Sequence, residues 1–113
     1  MAYFSDVLFI CNEDLNEEFC GVLEKLPNDN WLKHPIAYIS KNGLFLRYYE
    51  RIKYRSMDEG ERQLQLLLSA FEDEKAYRYI RIGEQYDDIE YQGLLNDETF
   101  NSSLEVNIYF DRE

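Results

Sequence analysis

Between Gly83 and Leu95 the chain sets Glu84, Asp87, Asp88 and Glu90 among two tyrosines, Tyr86 and Tyr91, with Asp97 and Glu98 following shortly after. Carboxylates at this density suit three kinds of chemistry. They can coordinate a hard cation through oxygen, they can supply an acid and a base for hydrolysis, or they can hold negative charge against a basic partner while the tyrosines anchor it. The EF-hand spacing and its central glycine are absent. Any two of the 23 acids could be paired on paper, but nothing selects a pair or marks a sugar-binding cleft, so the first two chemistries lack a specific signal. A solvated acidic loop is the plain structural alternative.

The other reactive side chains are few. His34 is the only histidine, and Pro35 after it biases its backbone toward an extended form at a strand start. No nucleophile elbow or third triad member accompanies it. Cys11 and Cys20 lack the neighbouring cations in sequence that lower a thiol pKa, and two cysteines with one histidine cannot complete a zinc site without a carboxylate. They read as reduced, structural thiols. Phe45, Arg47, Tyr49, Arg51, Lys53 and Arg55 alternate along one stretch, mixing rings for stacking with cations for phosphate. In this chain the acidic outer faces at Glu84 to Glu90 and Glu105 to Asp111 are the expected partners of that basic face.

Charge decides how these features weigh. The 113 residues carry 12 Lys and Arg against 23 Asp and Glu, a net charge of −11 with the histidine neutral. Residues 83–113 hold nine of those acids and a single base, whereas residues 34–82 are slightly basic. So strong a negative balance opposes direct contact with nucleic acid or an anionic membrane. At 45% hydrophobic and 16% aromatic, the chain has enough apolar material to fill one core. No linker or repeat divides it, so residues 1–113 read as a single domain. No apolar run approaches the roughly 20 residues that span a bilayer, and no basic region opens a leader peptide, so a cytoplasmic setting is expected.

The elements that must position the acids follow from periodicity. Val7 to Cys11 is a buried strand. Asp14 and Glu17 can cap a helix whose apolar stripe, Leu15, Phe19, Val22, Leu23 and Leu26, stops at Pro27. Ile36 to Ile39 is a second strand, and Asn42-Gly43 marks a type I′ hairpin into a long strand from Leu44 to Arg55. There Leu44, Leu46, Tyr48, Ile52 and Tyr54 share the expected core face. Ser56-Met57-Asp58-Glu59 has the form of a capping box ahead of Leu64, Leu67, Leu68 and Phe71 at helical spacing. Strands are expected at Ala76 to Ile82, Ile89 to Leu95 and Leu104 to Phe110. The order predicts an α+β fold: a two-layer antiparallel or mixed sheet with both helices on one face. Its first six elements match the split βαβ, ferredoxin-like βαββαβ arrangement with extra C-terminal strands.

A small acidic domain without a catalytic set, rich in tyrosine, reads as a binding protein that neutralises a basic protein partner. An immunity protein against a toxin nuclease and a phage nucleic-acid mimic, for instance an anti-CRISPR or restriction inhibitor, satisfy the same physics. The expected partner-binding residues are Glu84, Tyr86, Asp87, Asp88, Glu90, Tyr91, Asp97 and Glu98; no cofactor or metal is called for. The alternatives are a small carboxylate- or metal-dependent enzyme and a self-assembling structural subunit.

Overall fold

The computed structural model describes residues 3–85 and 87–95, and the side chains of all of these except 54–59. The chain runs β1 (Phe4–Asn12), α1 (Glu13–Lys25), β2 (Ala37–Lys41), β3 (Leu44–Lys53), α2 (Tyr54–Ala70), β4 (Tyr77–Gly83) and β5 (Ile89–Gln92). The five strands form one sheet in the order β2-β3-β1-β4-β5, antiparallel at every neighbour. β3 therefore lies between β1 and β2, and β1 between β3 and β4, which is the split βαβ, ferredoxin-like order with β5 added beside β4. The expected strand Leu104 to Phe110 lies outside the described residues.

Both helices cover one face. Leu15 and Phe19 of α1 and Leu64 and Leu68 of α2 close over Val7, Phe9, Cys11, Tyr49, Tyr77 and Tyr79. Leu8, Ile10, Leu46, Ile80 and Ile82 form a second cluster on the opposite face, against which Leu95 packs. β1 is apolar on both sides because it is the central strand, with a neighbour on each edge and a cluster on each face.

Local chemistry sets the boundaries. Asn12, and not Asp14, caps α1, its Oδ1 accepting the Leu15 amide at 3.0 Å. Asn42 and Gly43, with φ of 54° and 77°, make the turn that pairs Lys41 with Leu44. α2 begins at Tyr54, two residues before the expected capping box, and no side chain caps it at Lys53. The long strand therefore ends at Lys53.

The alternation expected along β3 is reset by a β-bulge. Ser5 opposes Ile52 and Val7 opposes Tyr49, so Asp6 alone faces both Glu50 and Arg51. Arg51 takes φ 55°, and its amide donates to Asp6 Oδ1 at 2.8 Å. The extra residue shifts the side-chain register by one. Phe45 and Tyr49 consequently pack under the helices together with Ile52, while Leu44, Leu46 and Tyr48 face the other way. The supposed basic face therefore splits: Phe45, Arg47 and Tyr49 lie on the helix-covered side, while Arg51, beyond the bulge, lies over Phe4.

Gly60 sits where α2 crosses the 3-10 turn at Trp31–Lys33. A Cβ there would lie 2.5 Å from Trp31 Nε1 and 2.7 Å from Asn30 Oδ1. Trp31 cannot retreat easily, being buried edge-on against Tyr49 with ring centroids 5.0 Å apart. In an open helix, alanine gains roughly 0.5–1 kcal/mol over glycine. Here Gly60→Ala is expected to reverse that sign and cost about 1–3 kcal/mol by overpacking, measured as a lowered urea midpoint. A gain in stability would show that Trp31 yields.

Candidate functional site

The acidic stretch is the connection between β4 and β5, and backbone bonds fix its shape. The Gly83 amide donates to the Asp88 carbonyl at 2.8 Å, and the Asp88 amide to the Gln85 carbonyl at 3.1 Å. The hairpin register then brings Arg81 opposite Glu90.

Arg81 gathers the acids around it. Its Nη2 donates to Asp88 Oδ1 at 2.6 Å and to Glu90 Oε1 at 2.8 Å, while Nη1 donates to Ser5 Oγ at 3.0 Å. The Tyr3 hydroxyl donates to Asp88 Oδ2 and accepts the Gln85 amide at 3.3 Å. The Arg81 hydrogen bonds, followed by that of Tyr3, hold the Asp88 carboxyl below its usual range. Burial works against the Arg81 charge, yet its bonds to Asp88 and Glu90 outweigh that and keep it firmly protonated. Partial burial and the bond to Asp88 raise the Tyr3 phenol. A carboxyl held low contributes its full stabilisation above the ordinary carboxylate range and loses it as pH falls through the depressed value, so the loop stays pinned at neutral pH.

The expected site residues therefore divide by role. Asp88, 29% exposed in its side chain, is a structural pin, and Glu90, 50% exposed, shares the Arg81 charge while facing solvent. Glu84 and Asp87 are exposed and make no ion pair among the described residues. Tyr91 stands 59% exposed, whereas Leu94, also open to solvent, lies at the far end of the hairpin with its amide on the Glu74 carbonyl. Tyr86, Asp97 and Glu98 lie outside the described residues. The structure thus brings together two unneutralised acids and one shared acid, with Tyr91 farther along β5. Sequence reading missed Arg81 as the counter-charge; the hairpin register carries that signal.

Among the described residues, the acids from Glu84 to Glu90 do not pair with the basic stretch of β3, and Glu105 to Asp111 lie outside the described residues. Arg47, only 4% exposed, donates to Asn16 Oδ1 at 2.7 Å, and its guanidinium lies between the Phe19 and Tyr38 rings, 4.7 Å from each centroid. Arg51 lies over the Phe4 ring at 4.3 Å. Rings and an amide stabilise these cations because the acids are two strands away.

The remaining reactive groups are dispersed. His34 closes the 3-10 turn with Nε2 2.6 Å from the Asn28 carbonyl. Burial raises the Cys11 thiol to about 12, while Cys20 is exposed on α1. Among the described residues, no group of three His, Cys, Asp or Glu side chains is placed to hold a metal ion, and no helix is long and apolar enough to cross a membrane. At the sheet edge opposite β5, β2 exposes Tyr38 and Ile39, with Ile36 just before it. Compared with known protein families, curated proteins and solved structures, the chain matches none.

Proposed function

We propose that the chain is a small acidic inhibitory protein that neutralises a basic protein partner in the cytoplasm. It acts either as an immunity protein against a toxin nuclease or as a phage-encoded nucleic-acid mimic directed at a host defence complex such as a CRISPR effector or a restriction enzyme. The observation that carries this reading is the net charge of −11 on 113 residues. Such a charge raises the association rate with a basic groove and disfavours nucleic acid itself. In the mimic, carboxylates stand where phosphates would stand and release the same counterions from the groove.

The placement of the acids supports the reading. Glu84, Asp87 and Glu90 line one loop beside exposed Tyr91, so charge for steering adjoins an aromatic anchor. The test starts with capture from nuclease-treated lysate of the source cells, with elution by a salt gradient. One basic protein is expected at stoichiometric level. With that partner purified, Glu84→Gln with Asp87→Asn leaves the Asp88 pin intact. The pair is expected to slow association about tenfold at low salt, with the difference shrinking as ionic strength rises. An association rate indifferent to both salt and substitution would sink the proposal.

A further inference from the structure

A cleft of about 330 Å³ opens where the end of α2 meets β4 and β5, away from the Arg81 cluster. Gln65, Phe71, Glu72, Glu74, Tyr77 and Gln92 line it. Its volume falls at the lower end of small-ligand clefts, suited to one long side chain.

Three independent features give it a preference. Glu72 and Glu74 make no ion pair among the described residues, so their charge is available to the cleft. α2 ends here without a basic residue in its last turn, leaving the negative end of the helix dipole uncompensated. Tyr77 is only 6% exposed, yet its hydroxyl has no hydrogen-bond partner among the described residues. Burial, followed by the charge of Glu74, raises this phenol above its ordinary value. A phenol hydroxyl with no protein partner is free to bond a group seated in the cleft.

We propose that this cleft receives an arginine side chain of the basic partner. A guanidinium offers five donors in a plane and stacks on aromatic rings. The cleft offers carboxylate, amide and phenol oxygens as acceptors, with half-buried Phe71 at its wall. An ammonium matches the charge but not the planar, multi-acceptor lining. The inference rests on the acidic-inhibitor reading and adds the chemical group that the partner inserts.

The test titrates Nα-acetyl-L-arginine N-methylamide into the ¹⁵N-labelled full chain, followed by NMR, with the corresponding citrulline compound as a neutral isostere. Saturable shifts are expected at the amides of Ser69, Glu72, Glu74 and Gln92, with citrulline at least tenfold weaker. Glu72→Gln with Glu74→Gln is expected to weaken arginine binding about tenfold. Tyr77→Phe is expected to weaken it three- to tenfold without lowering Tm, since the hydroxyl loses no partner within the fold. Citrulline binding as well as arginine, shifts confined to the β4–β5 loop, or a Tm lowered by Tyr77→Phe would each overturn the proposal. If the Glu72/Glu74 variant binds the captured partner with unchanged affinity, the cleft is not the arginine receptor, while the acidic-inhibitor reading stands. If the arginine compound saturates the cleft but the chain has no basic partner, that reading falls, and with it the role assigned to the cleft.

Discussion

Phe9→Ala is expected to lower the unfolding free energy by about 4 kcal/mol, a large share of the 5–15 kcal/mol that typically separates folded from unfolded domains. Phe9 is fully buried at the middle of β1, opposite Arg47 on one side and Tyr79 on the other. Its ring lies 5.1 Å from that of Phe19, which ties the central strand to α1. Truncation opens a cavity directly beneath the helix. The sheet cannot collapse to fill it, because hydrogen bonds to both neighbours hold the β1 backbone. Urea unfolding followed by Trp31 fluorescence and far-ultraviolet circular dichroism measures the cost. With a slope of about 1–3 kcal/mol per molar, the midpoint should fall by roughly 2 M at constant slope. A loss below about 1.5 kcal/mol is at odds with the core lying there, since buried Phe→Ala changes cost about 3–5.

Asp6→Ala is expected to cost about 2–3 kcal/mol, although Asp6 sits near the end of β1, opposite Ile82 of β4. Its side chain is buried and accepts both the Arg51 amide at 2.8 Å and the Tyr48 hydroxyl at 3.3 Å. Arg51 occupies the left-handed region, which costs an L-residue roughly 1–2 kcal/mol, and the Asp6 bond helps hold it there. Alanine leaves a bulge amide without its acceptor. Asp6→Asn keeps a carbonyl oxygen at the same position and should lose less than half as much. Hydrogen exchange at the Arg51 amide separates the two: fast in the alanine variant, near the parent rate in the asparagine variant. Equal losses in both would mean that Asp6 acts through its charge and not by capping the bulge.

That bulge also marks where sequence reading stops. The α2 stripe was legible because Leu64, Leu67, Leu68 and Phe71 recur at helical spacing, and all of them pack on the helix-side core. The Asn42-Gly43 hairpin was legible because a type I′ turn needs two left-handed residues in a row. Along β3, period-two alternation groups the side chains correctly from Leu44 to Tyr49, although it is Phe45, Arg47 and Tyr49 that meet the helices, and beyond Tyr49 it fails because one extra residue exchanges the faces. A glycine would have announced the left-handed position; Glu50-Arg51 does not. The candidate site shows the same division. Its acids were visible as composition, but the capture of Asp88 joins it to Tyr3 across nearly the whole described chain, and no local pattern encodes a contact of that span.

The position of β1 bears on how the chain is made. It leaves the ribosome first, yet its neighbours β3 and β4 begin only at Leu44 and Tyr77. At about 5–20 residues per second, synthesis from Asn12 takes roughly 2–8 s to reach the end of β3 and roughly 4–14 s to reach Gly83, so Val7-Leu8-Phe9-Ile10 waits first with both edges open and then with one. Short apolar runs of strong strand formers are the segments that join other nascent chains. Asp6 on one side and Glu13-Asp14 on the other bracket this run with like charge. Acidity on both sides of this strand is thus placed where gatekeeper charges oppose association of nascent chains during translation.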